Sequence, residues 1–454
     1  MKTYIKYLFL GIALVGFASC TKIDPAEKAT ELSCTEDTQC LPAAPVCNVT
    51  AGTCAECLAG KPGVCGGMEP VCGLDNACRA CSAHNDCPSD ACLPDGSCAL
   101  DTEVIYLKGG VLSLTCSFGA PCSNLDTAID LISATRRYLR VIGTVATDGV
   151  IAGKTVTILG EADSVLRGEA GGSTEPVLDI RNGSKVTVYD MQISNSRREG
   201  VRLDGADASL TLIRSKISQA PEEGIVVVNG GTLSLQQSQI TNVSKEGILV
   251  TNGKASLAES EVSSCGTTTS RKGIVLTSGE LTISRSKISN NAGGGISVAN
   301  MQVFQISNSF IVGNRADGGL SIPKPGAGSK LEFNTIVDNQ DGAGAGDAGG
   351  VTCDDSAFAF SNNIIFRNTG GNPTNPQTFG NCTYGKSYVA AGTGPSDASL
   401  AFKSNSSPFD YHLTAASPLS VKDVTGTACT DLTDFDGDAR PQGSACDLGA
   451  DEVK

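Results

Sequence analysis

Four residues in the last third of the chain have the types needed to act on a glycosidic bond. Asp338, Asp354 and Asp355 lie close together in the sequence, and Arg367 follows shortly after them. Glycoside hydrolysis requires two carboxyl groups about 5 to 9.5 Å apart. Successive side chains of a strand point to opposite faces, so only one of Asp354 and Asp355 could act together with Asp338. These four residues are the candidates for catalysis, and the alternative is a solvated loop without a catalytic group.

A second group of carboxylates, near the C-terminus, has the spacing of a cation-binding loop. Asp434, Asp436 and Asp438 alternate around Gly437, as the oxygen ligands of many calcium loops do. The bidentate Glu that closes an EF-hand is absent, because Ala445 stands at the twelfth position counted from Asp434. No motif requires a cofactor, and a structural Ca²⁺ at these aspartates is the one that the sequence suggests. The alternative is a turn that only caps the fold.

The composition excludes several classes of function. The chain has 454 residues, with two His, no Trp and a formal net charge of −14. Two histidines are too few for a three-histidine metal site and give little scope for a Ser-His-Asp triad. The 48 Asp and Glu outnumber the 34 Lys and Arg and would repel phosphate backbones, so we expect no nucleic-acid partner.

The N-terminus has the layout of an export signal. Two lysines precede an apolar run over residues 8–17, which is too short to span a bilayer comfortably. Small residues then precede Cys20, and this ending resembles the lipobox of bacterial lipoproteins. The resemblance implies cleavage before Cys20 and a membrane anchor of several acyl chains on that residue. Because Thr21 rather than Asp follows, it also implies the outer membrane or cell surface of a Gram-negative bacterium. The alternative is a secreted protein in which Cys20 is an ordinary thiol.

Twelve cysteines are crowded into residues 34–98, where they form three four-cysteine repeats joined by C-x₂-C spacings. The segment has hardly any aromatic residues, so it cannot rely on a hydrophobic core and needs covalent bridges. We expect two disulfides in each repeat, with the pairing left open because four cysteines allow three connectivities. The alternative takes Cys54-x₂-Cys57 and Cys78-x₂-Cys81 as zinc half-sites.

The later cysteines suggest three local disulfides: Cys116 with Cys122, Cys353 with Cys382, and Cys429 with Cys446. Cys265 is left over, and we expect it to be a small buried residue rather than a reactive thiol.

From about residue 177 the chain repeats itself with a period of about 24 residues. A glycine before an aliphatic residue marks each unit, at Gly200, Gly224, Gly247, Gly273, Gly295, Gly319 and Gly350. A second column keeps the same period, at Ile193, Ile217, Ile240, Val262, Ile288, Ile311 and Ile336. Units this short hold about three strands and cannot bury their own apolar faces, so they must stack. The pattern predicts an all-β chain that forms a right-handed parallel β-helix.

The open end of such a solenoid needs a cap. Ser123 followed by Asp126 has the spacing of a helix N-cap and predicts a short helix over about residues 124–137. One face of this helix is apolar, with Leu125, Ala128, Ile129 and Ile132. We expect the helix to cover the N-terminal end of the solenoid.

One corner of the repeat carries recurring polar side chains, namely Asn195, Gln219, Asn242, Ser264, Asn290, Asn314 and Asn339. Stacked amides can hydrogen-bond from coil to coil, so this row predicts a structural ladder. A ligand-binding row is the alternative.

These repeats make residues 101–400 resemble the pectin-lyase-like β-helix superfamily, a resemblance that implies the fold and says almost nothing about activity. Lyases of that superfamily need an acidic calcium cluster with an Arg or Lys base, and its polygalacturonases use a Gly-His-Gly motif. Neither His84 nor His412 stands in such a motif. The C-terminal runs 434–441 and 446–452 resemble the choice-of-anchor Q domain of bacterial surface proteins, which implies surface attachment rather than chemistry. The C-terminal sorting segment common in that family is missing, and the lipid on Cys20 would replace it.

The outward side chains of the repeat are mixed in charge. One column is Lys216, Gln239, Glu261, Lys287 and Phe310, and its neighbour is Arg214, Gln237, Glu259, Arg285 and Asn308. We expect ion pairs between coils, from Glu261 to Lys287 and from Glu259 to Arg285. The columns favour a self-paired surface over an acidic ligand groove.

The sequence therefore predicts five segments: a signal peptide (1–19), an acylated tether (20–33), a disulfide-rich module (34–100), a β-helix (101–400) and a C-terminal cap (401–454). We expect a non-catalytic, lipid-anchored cell-surface protein that is adhesive or architectural and binds polysaccharide or other polymers, or surface proteins, along the rod. The alternative is a polysaccharide lyase or glycoside hydrolase that uses Asp338, Asp354 or Asp355. A third possibility confines binding to the disulfide-rich module.

Overall fold

The structure is a computed structural model. It describes residues 33–454 except 60, 62–63, 112, 170–174, 343–346, 373, 391–399, 425–428 and 430–431. The signal peptide, Cys20 and the tether through residue 32 lie outside the described residues. The chain divides into two compact units, with the boundary between Cys98 and Ala99. Within the described residues, no helix is long and apolar enough to cross a membrane.

The first unit is held together by disulfides. Each four-cysteine repeat joins its first cysteine to its third and its second to its fourth, giving Cys34–Cys47, Cys40–Cys54, Cys57–Cys72, Cys65–Cys78, Cys81–Cys92 and Cys87–Cys98. Regular structure is limited to the hairpins β1 (Val46–Asn48) with β2 (Thr53–Ala55) and β3 (Val71–Cys72) with β4 (Cys78–Arg79), and to 3₁₀ turns at Asp37–Gln39 and His84–Asp86. The C-x₂-C cysteines belong to separate disulfides, so they have no thiolate to offer to zinc.

The second unit is a right-handed parallel β-helix of short strands, as the sequence predicts. After a 3₁₀ turn (Asp101–Glu103), its elements are, in chain order, β5 (Val104–Lys108), α1 (Leu125–Asp130), β6 (Tyr138–Ile142), β7 (Thr144–Ala146), β8 (Gly149–Ala152), β9 (Thr155–Leu159), β10 (Val165–Arg167), β11 (Leu178–Arg181), β12 (Lys185–Tyr189), β13 (Gln192–Ser194), β14 (Val201–Asp204), β15 (Ser209–Ile213), β16 (Lys216–Ser218), β17 (Ile225–Val228), β18 (Thr232–Gln236), β19 (Gln239–Thr241), β20 (Ile248–Ala258), β21 (Glu261–Ser263), β22 (Ile274–Ser284), β23 (Lys287–Ser289), β24 (Ile296–Val298), β25 (Val303–Ser307), β26 (Phe310–Val312), β27 (Leu320–Ser321), β28 (Lys330–Glu332), β29 (Thr335–Val337), β30 (Gln340–Asp341), β31 (Val351–Thr352), β32 (Ala359–Ser361), β33 (Ile364–Phe366), β34 (Thr369–Gly370), β35 (Thr378–Phe379), β36 (Thr383–Gly385), β37 (Tyr388–Val389), β38 (Phe402–Ser404) and β39 (Asp410–Leu413).

Each coil contributes one strand to an eleven-strand parallel sheet, which runs from β7 to β37, and the rest of the coil to a twenty-strand sheet. Equivalent residues of successive coils are in register, as in the series Ile193, Ile217 and Ile240. All seven members of that predicted aliphatic column point inward and are at most 1% exposed. Stacking the coils therefore buries the apolar faces that a single repeat cannot bury.

The marker glycines are required by close backbone stacking at the corner before the twenty-strand sheet. A Cβ on Gly224 would lie 2.6 Å from the carbonyl oxygen of Gly247, and one on Gly295 would lie 2.4 Å from that of Gly319. No side chain fits at these distances, which explains the regular glycine column.

The capping helix is present but shorter than predicted. Helix α1 spans Leu125–Asp130 rather than residues 124–137, and its N-cap is Asn124 rather than Ser123, because the Asn124 side chain accepts a hydrogen bond from the Thr127 N–H at 2.9 Å. The chain leaves the helix early because strand β6 begins at Tyr138. The predicted apolar face is buried in the core. The first coil strand is β5, which the sequence analysis did not identify.

The amide ladder is real, but it includes only part of the predicted row. Its members are buried and hydrogen-bond side chain to side chain at 2.9–3.0 Å, in the order Asn291, Asn314, Asn339, Asn368 and Gln377. Asn195, Gln219, Asn242, Ser264 and Asn290 instead occupy the exposed residue one position earlier, with φ between 48° and 57°. Their role is to adopt the left-handed corner conformation, which Asn tolerates better than most residues.

The C-terminal segment packs along the side of the rod. Its hairpin β38–β39 and the residues near the C-terminus cover outward side chains of β26, β29 and β33 with a second apolar cluster. Two backbone contacts fix this position: the Ala450 N–H donates to Thr335 Oγ1 at 3.0 Å, and the Gly449 N–H donates to the Asn362 carbonyl at 2.8 Å. We call residues 400–454 the cap.

Candidate functional site

A groove lies where the edge of the cap meets the eleven-strand sheet. It has a volume of about 400 Å³ and is lined by Gln237, Ser238, Gln239, Glu259, Ser260, Glu261, Arg285, Lys287, Phe435 and Asp436. The first eight residues come from three successive coils, and the last two come from the cap. We call this feature the cap groove.

The groove forms because one outward column of the eleven-strand sheet changes from polar to apolar side chains along the rod. The polar column Gln239, Glu261 and Lys287 continues in register as Phe310, and Phe310 is only 3% exposed under the cap. The ring of Phe435 packs edge-on against Phe310, with centroids 4.5 Å apart. The cap therefore covers the apolar part of the column, and the polar part stays open beside its edge.

One wall of the groove is a row of linked polar and charged side chains from three successive coils. Arg285 forms the predicted ion pair with Glu259, and Gln237 Nε2 donates to Glu259 Oε2 at 2.8 Å. Arg285 also donates to Thr433 Oγ1 of the cap at 3.2 Å. The hydrogen bond from Gln237, together with that from Arg285, lowers the pKa of Glu259. Glu259 is therefore a carboxylate at neutral pH and is unsuited to donate a proton.

The other predicted ion pair is not formed. Glu261 and Lys287 lie in register on adjacent strands, yet no ion pair joins them in the described part of the chain. Both side chains line the groove, where one can accept and the other can donate hydrogen bonds.

Two of the four catalytic candidates link the rod to the cap. Arg367 donates to both carboxylate oxygens of Asp338, at 2.8 and 2.6 Å, and to Asn405 Oδ1 of the cap at 2.6 Å. Its guanidinium lies 5.5 Å from the ring centroids of Phe366 and Phe402. Burial of Tyr411, with the negative charge of Asp338 nearby, raises the pKa of the Tyr411 hydroxyl.

The other two candidates lie in the turn after β31 and have partners of their own. Asn381 donates to Asp354 Oδ1 at 2.5 Å, and Asp355 Oδ1 accepts a hydrogen bond from the Ala357 N–H at 3.0 Å. The turn is held by the disulfide between Cys353 and Cys382. Asp338 follows β29 at another corner, and among the described residues the three aspartates share no hydrogen-bond partner.

Each of the three calcium candidates, Asp434, Asp436 and Asp438, contacts a different partner. Asp434 is fully buried and accepts hydrogen bonds from the N–H groups of Asp438 and Glu452, at 2.8 and 3.1 Å. Asp438 forms an ion pair with Lys454 at 2.7 Å. Asp436 is exposed and lies 3.3 Å from Nε2 of His412.

His412 is surrounded by carboxylates. Its Nδ1 hydrogen-bonds to Asp410, and its Nε2 faces Asp436, with Asp451 also within reach. Burial alone would lower the pKa of His412, but the hydrogen bond with Asp410 and the charges of Asp451 and Asp436 raise it. Burial of Asp451 raises the pKa of that carboxyl to about 7.

The rest of the cap is tied together by a buried ion pair. Arg440 donates to Glu452 at 2.8 Å and to the Gly449 carbonyl at 2.8 Å, with its guanidinium 4.8 Å from the ring centroid of Phe333. The predicted disulfide partners Cys429 and Cys446 are joined in the cap, and Cys116 and Cys122 are joined near α1. Cys265 is free and fully buried, as predicted, and burial raises the pKa of its thiol to about 12.

The turns before the marker glycines are self-paired, as the mixed charges predict. Arg198 lies between Glu199 and Glu222, at 3.4 and 3.6 Å, and Lys245 lies between Glu222 and Glu223, at 3.4 and 3.6 Å. These contacts neutralise the acidic side chains of the three coils without a bound cation.

Comparison with known proteins supports the fold class. A family model described as "Right handed beta helix region" matches residues 177–265 and 247–396. A solved structure titled "Crystal structure of pectate lyase Pel9A" is similar at 15% identity and a TM-score of 0.50, over 77% of this chain and 96% of that one. A second, the enzymatically active domain of tailspike protein 2 of bacteriophage CBA120, has 12% identity and a TM-score of 0.35, over 64% of this chain and 51% of that one. No curated protein matches. The chain is thus a right-handed parallel β-helix protein.

The cap groove was not predicted from the sequence. Gln239, Glu261, Lys287 and Phe310 form one predicted column, but a single sequence does not reveal that Phe435 packs on Phe310. The signal that was available is the abrupt change from charged residues to Phe310 in an outward column.

Proposed function

We propose that this chain is a non-catalytic, lipid-anchored cell-surface protein that binds polysaccharide in the cap groove. The observation that carries the proposal is the groove itself, an open polar cleft at the edge of an otherwise self-paired surface. With such a groove, an adhesive or architectural role would suit the chain.

The chemistry of the groove suits a polysaccharide better than an apolar ligand. Sugars offer hydroxyl groups that both donate and accept, and the groove offers amides, carboxylates and cations. Glu261 and Lys287, which are not paired with each other, supply one acceptor and one donor at adjacent coils, and Glu261 has one weak contact of its own, from Ser289 Oγ at 3.5 Å. Phe435 contributes an aromatic ring at the groove wall, where apolar faces of sugar rings can pack.

A non-catalytic role is supported by how Glu259, Asp338 and Arg367 are engaged. Glu259 in the groove remains ionised, so it cannot serve as the proton donor that hydrolysis requires. Arg367, a candidate base, is tied to Asp338 by two hydrogen bonds and to Asn405 by a third. A base or acid must be free to reach substrate, and neither member of this pair is.

Lipid anchoring is proposed from the ending before Cys20 alone. The nine disulfides support an oxidising compartment, because such bridges persist in exported proteins. An outer-membrane lipoprotein would meet that condition, with polysaccharides of the cell surface or surroundings within reach.

The test compares two lysines that occupy the same column of the eleven-strand sheet. Full-length protein in detergent is titrated with a panel of acidic and neutral polysaccharides, and binding is followed by calorimetry. Lys287→Ala and Phe435→Ala should each weaken binding at least fivefold, whereas Lys216→Ala, three coils away and outside the groove, should leave it unchanged. Equal losses in Lys216→Ala and Lys287→Ala would place binding elsewhere, and unchanged binding in both groove variants would refute the cap groove.

A further inference from the structure

We propose that the cap binds one divalent transition-metal ion of the Zn²⁺ class through His412 Nε2, Asp436 and Asp451. This inference does not depend on polysaccharide binding. It differs from the calcium loop that the sequence suggests, because only Asp436 is shared between the two sets of ligands.

The ligand atoms are already gathered. One atom from each of His412, Asp436 and Asp451 lies within 4.8 Å of the others. His412 Nε2 is 3.3 Å from Asp436 Oδ2. Atoms bound to one tetrahedral ion at about 2.1 Å lie roughly 3.4 Å apart, so this distance already fits the edge of a zinc polyhedron.

The histidine is oriented for this role by its other nitrogen. Its Nδ1 hydrogen-bonds to Asp410, the arrangement in which a carboxylate fixes a metal-binding imidazole. Its Nε2 is buried and makes no well-aligned hydrogen bond among the described residues, although Asp436 Oδ2 lies 3.3 Å away. A buried ring nitrogen without a hydrogen bond is costly unless another group satisfies it, and a metal ion at the centre of the cluster would do so.

The charge balance points the same way. Asp410, Asp436 and Asp451 face a single imidazole. Lys403 lies 3.6 Å from Asp410, and the charges of Lys454 and Arg440 act on Asp436 and Asp451 from farther away. Asp451 is 6% exposed and also accepts a hydrogen bond from the Leu413 N–H at 2.6 Å. None of these three cations lies between Asp436 and Asp451 in the described contacts, so a dication held there would neutralise both carboxylates directly.

The donor set favours zinc over calcium. Calcium takes six to eight oxygen ligands, whereas imidazole nitrogen with two carboxylates suits Zn²⁺ and similar ions. Three protein ligands also leave a fourth position for water. The ligands come from three separate segments, namely strand β39, the turn around Gly437 and the C-terminal tail, so the ion would join parts of the cap that are distant in sequence.

The test uses full-length protein in detergent, stripped with EDTA and dialysed. We expect about one equivalent of Zn²⁺ to bind, measured by elemental analysis, and the thermal midpoint of unfolding to rise when Zn²⁺ is restored. Co²⁺ should bind in its place and give the visible absorption of a four-coordinate site. Asp436→Asn and His412→Asn should each weaken Zn²⁺ binding at least tenfold. Asp436 is exposed, so its variant should fold even if the His412 variant does not.

Two matched controls address the other candidates. Asp438→Asn alters the same turn but not the cluster, and His84→Asn removes the other histidine; both should keep Zn²⁺ binding. Four results would overturn the proposal: no Zn²⁺ retained, Zn²⁺ retained equally by Asp436→Asn and His412→Asn, Zn²⁺ lost in His84→Asn, or Ca²⁺ bound in preference to Zn²⁺.

Discussion

Arg367 donates two hydrogen bonds to Asp338 on the preceding coil, from Nε to Oδ1 at 2.8 Å and from Nη2 to Oδ2 at 2.6 Å. Both residues stand at left-handed corner positions, with φ of 52° and 57°. The same guanidinium reaches Asn405, so this pair connects the stacked coils to the cap. The relationship gives a structural role to residues that could have been an active site.

Breaking this pair should lower stability more than breaking an exposed pair of the same kind. Asp338→Asn and Arg367→Met should each cost about 1 to 2 kcal/mol, because the partner left behind is largely buried. Lys254→Met is the matched control, since Lys254 and Glu280 also pair between coils but are 61% and 57% exposed; it should cost less than about 0.5 kcal/mol. Thermal unfolding followed by circular dichroism measures all three. An Asp338→Asn variant of unchanged stability would contradict the structural role.

The amide ladder should be far more sensitive than the exposed corner beside it. Asn314→Ala removes the acceptor of the Asn291 amide and the donor to Asn339, which leaves buried groups unpaired and should cost about 2 to 4 kcal/mol. Asn290→Gly should change stability by less than about 0.5 kcal/mol, because Gly suits φ of 56° and Gly313 already fills this corner on the next coil. Chemical denaturation distinguishes the two variants. Equal losses would mean that the exposed row is also a ladder.

Asp148 should make the stability of the coils depend on pH. Burial, with the charge of Glu169 nearby, raises the pKa of Asp148 to about 6 from its ordinary value of 3.8. The folded state therefore holds a proton that the unfolded state releases, and stability should fall as the pH rises from 4 to 6. Asp148→Asn should make this decline shallower without removing it, because the raised pKa of Asp451 contributes to it as well. The same variant should raise stability at pH 7 by roughly 1 kcal/mol, a figure reduced from the full shift because the carboxyl is partly solvated. A variant that is less stable than the parent at pH 7 would show that the charged form is favoured instead.

Cys20 should determine where the protein is found. Cells fed a tagged fatty acid should label the protein, and Cys20→Ser should remove the label and release the protein from the outer-membrane fraction, because several acyl chains anchor far better than none. Disulfide cysteines such as Cys34 offer the control, since Cys34→Ser should leave the label in place. Persistent labelling of Cys20→Ser would contradict lipidation at that residue.

The repeating parts of the fold could be predicted from the sequence, because each position of the repeat occurs once in every coil and its pattern is therefore seen many times. The inward column from Ile193 to Ile336 and the marker glycines both lie where the period places them. The ladder was assigned one residue too early in five coils, since a left-handed corner residue such as Asn290 and the buried residue after it are neighbours in sequence. Only the backbone conformation distinguishes them, and one sequence does not reveal it.

The features that depend on a single long-range contact could not be predicted. The cap groove depends on Phe435 packing against Phe310, and the proposed metal site depends on β39, the Gly437 turn and the C-terminal tail meeting at His412. Neither arrangement recurs along the chain, so no repeating column of residues predicts either of them. The spacing of Asp434, Asp436 and Asp438 predicts one shared ligand set, and this remains a prediction. In the structure the three carboxylates have different partners, namely backbone N–H groups, His412 and Lys454.

We propose that the protein binds polysaccharide without cleaving it. The most direct measurement incubates the full-length protein, with Ca²⁺ and with Zn²⁺, against acidic and neutral polysaccharides, and reads both retention on the immobilised protein and product size by mass spectrometry. We expect at least one polymer to be retained and all of them to keep their length, with the parent and with Asp338→Asn alike. Shortened oligosaccharides that disappear with Asp338→Asn or Asp354→Asn would contradict it and establish an enzyme.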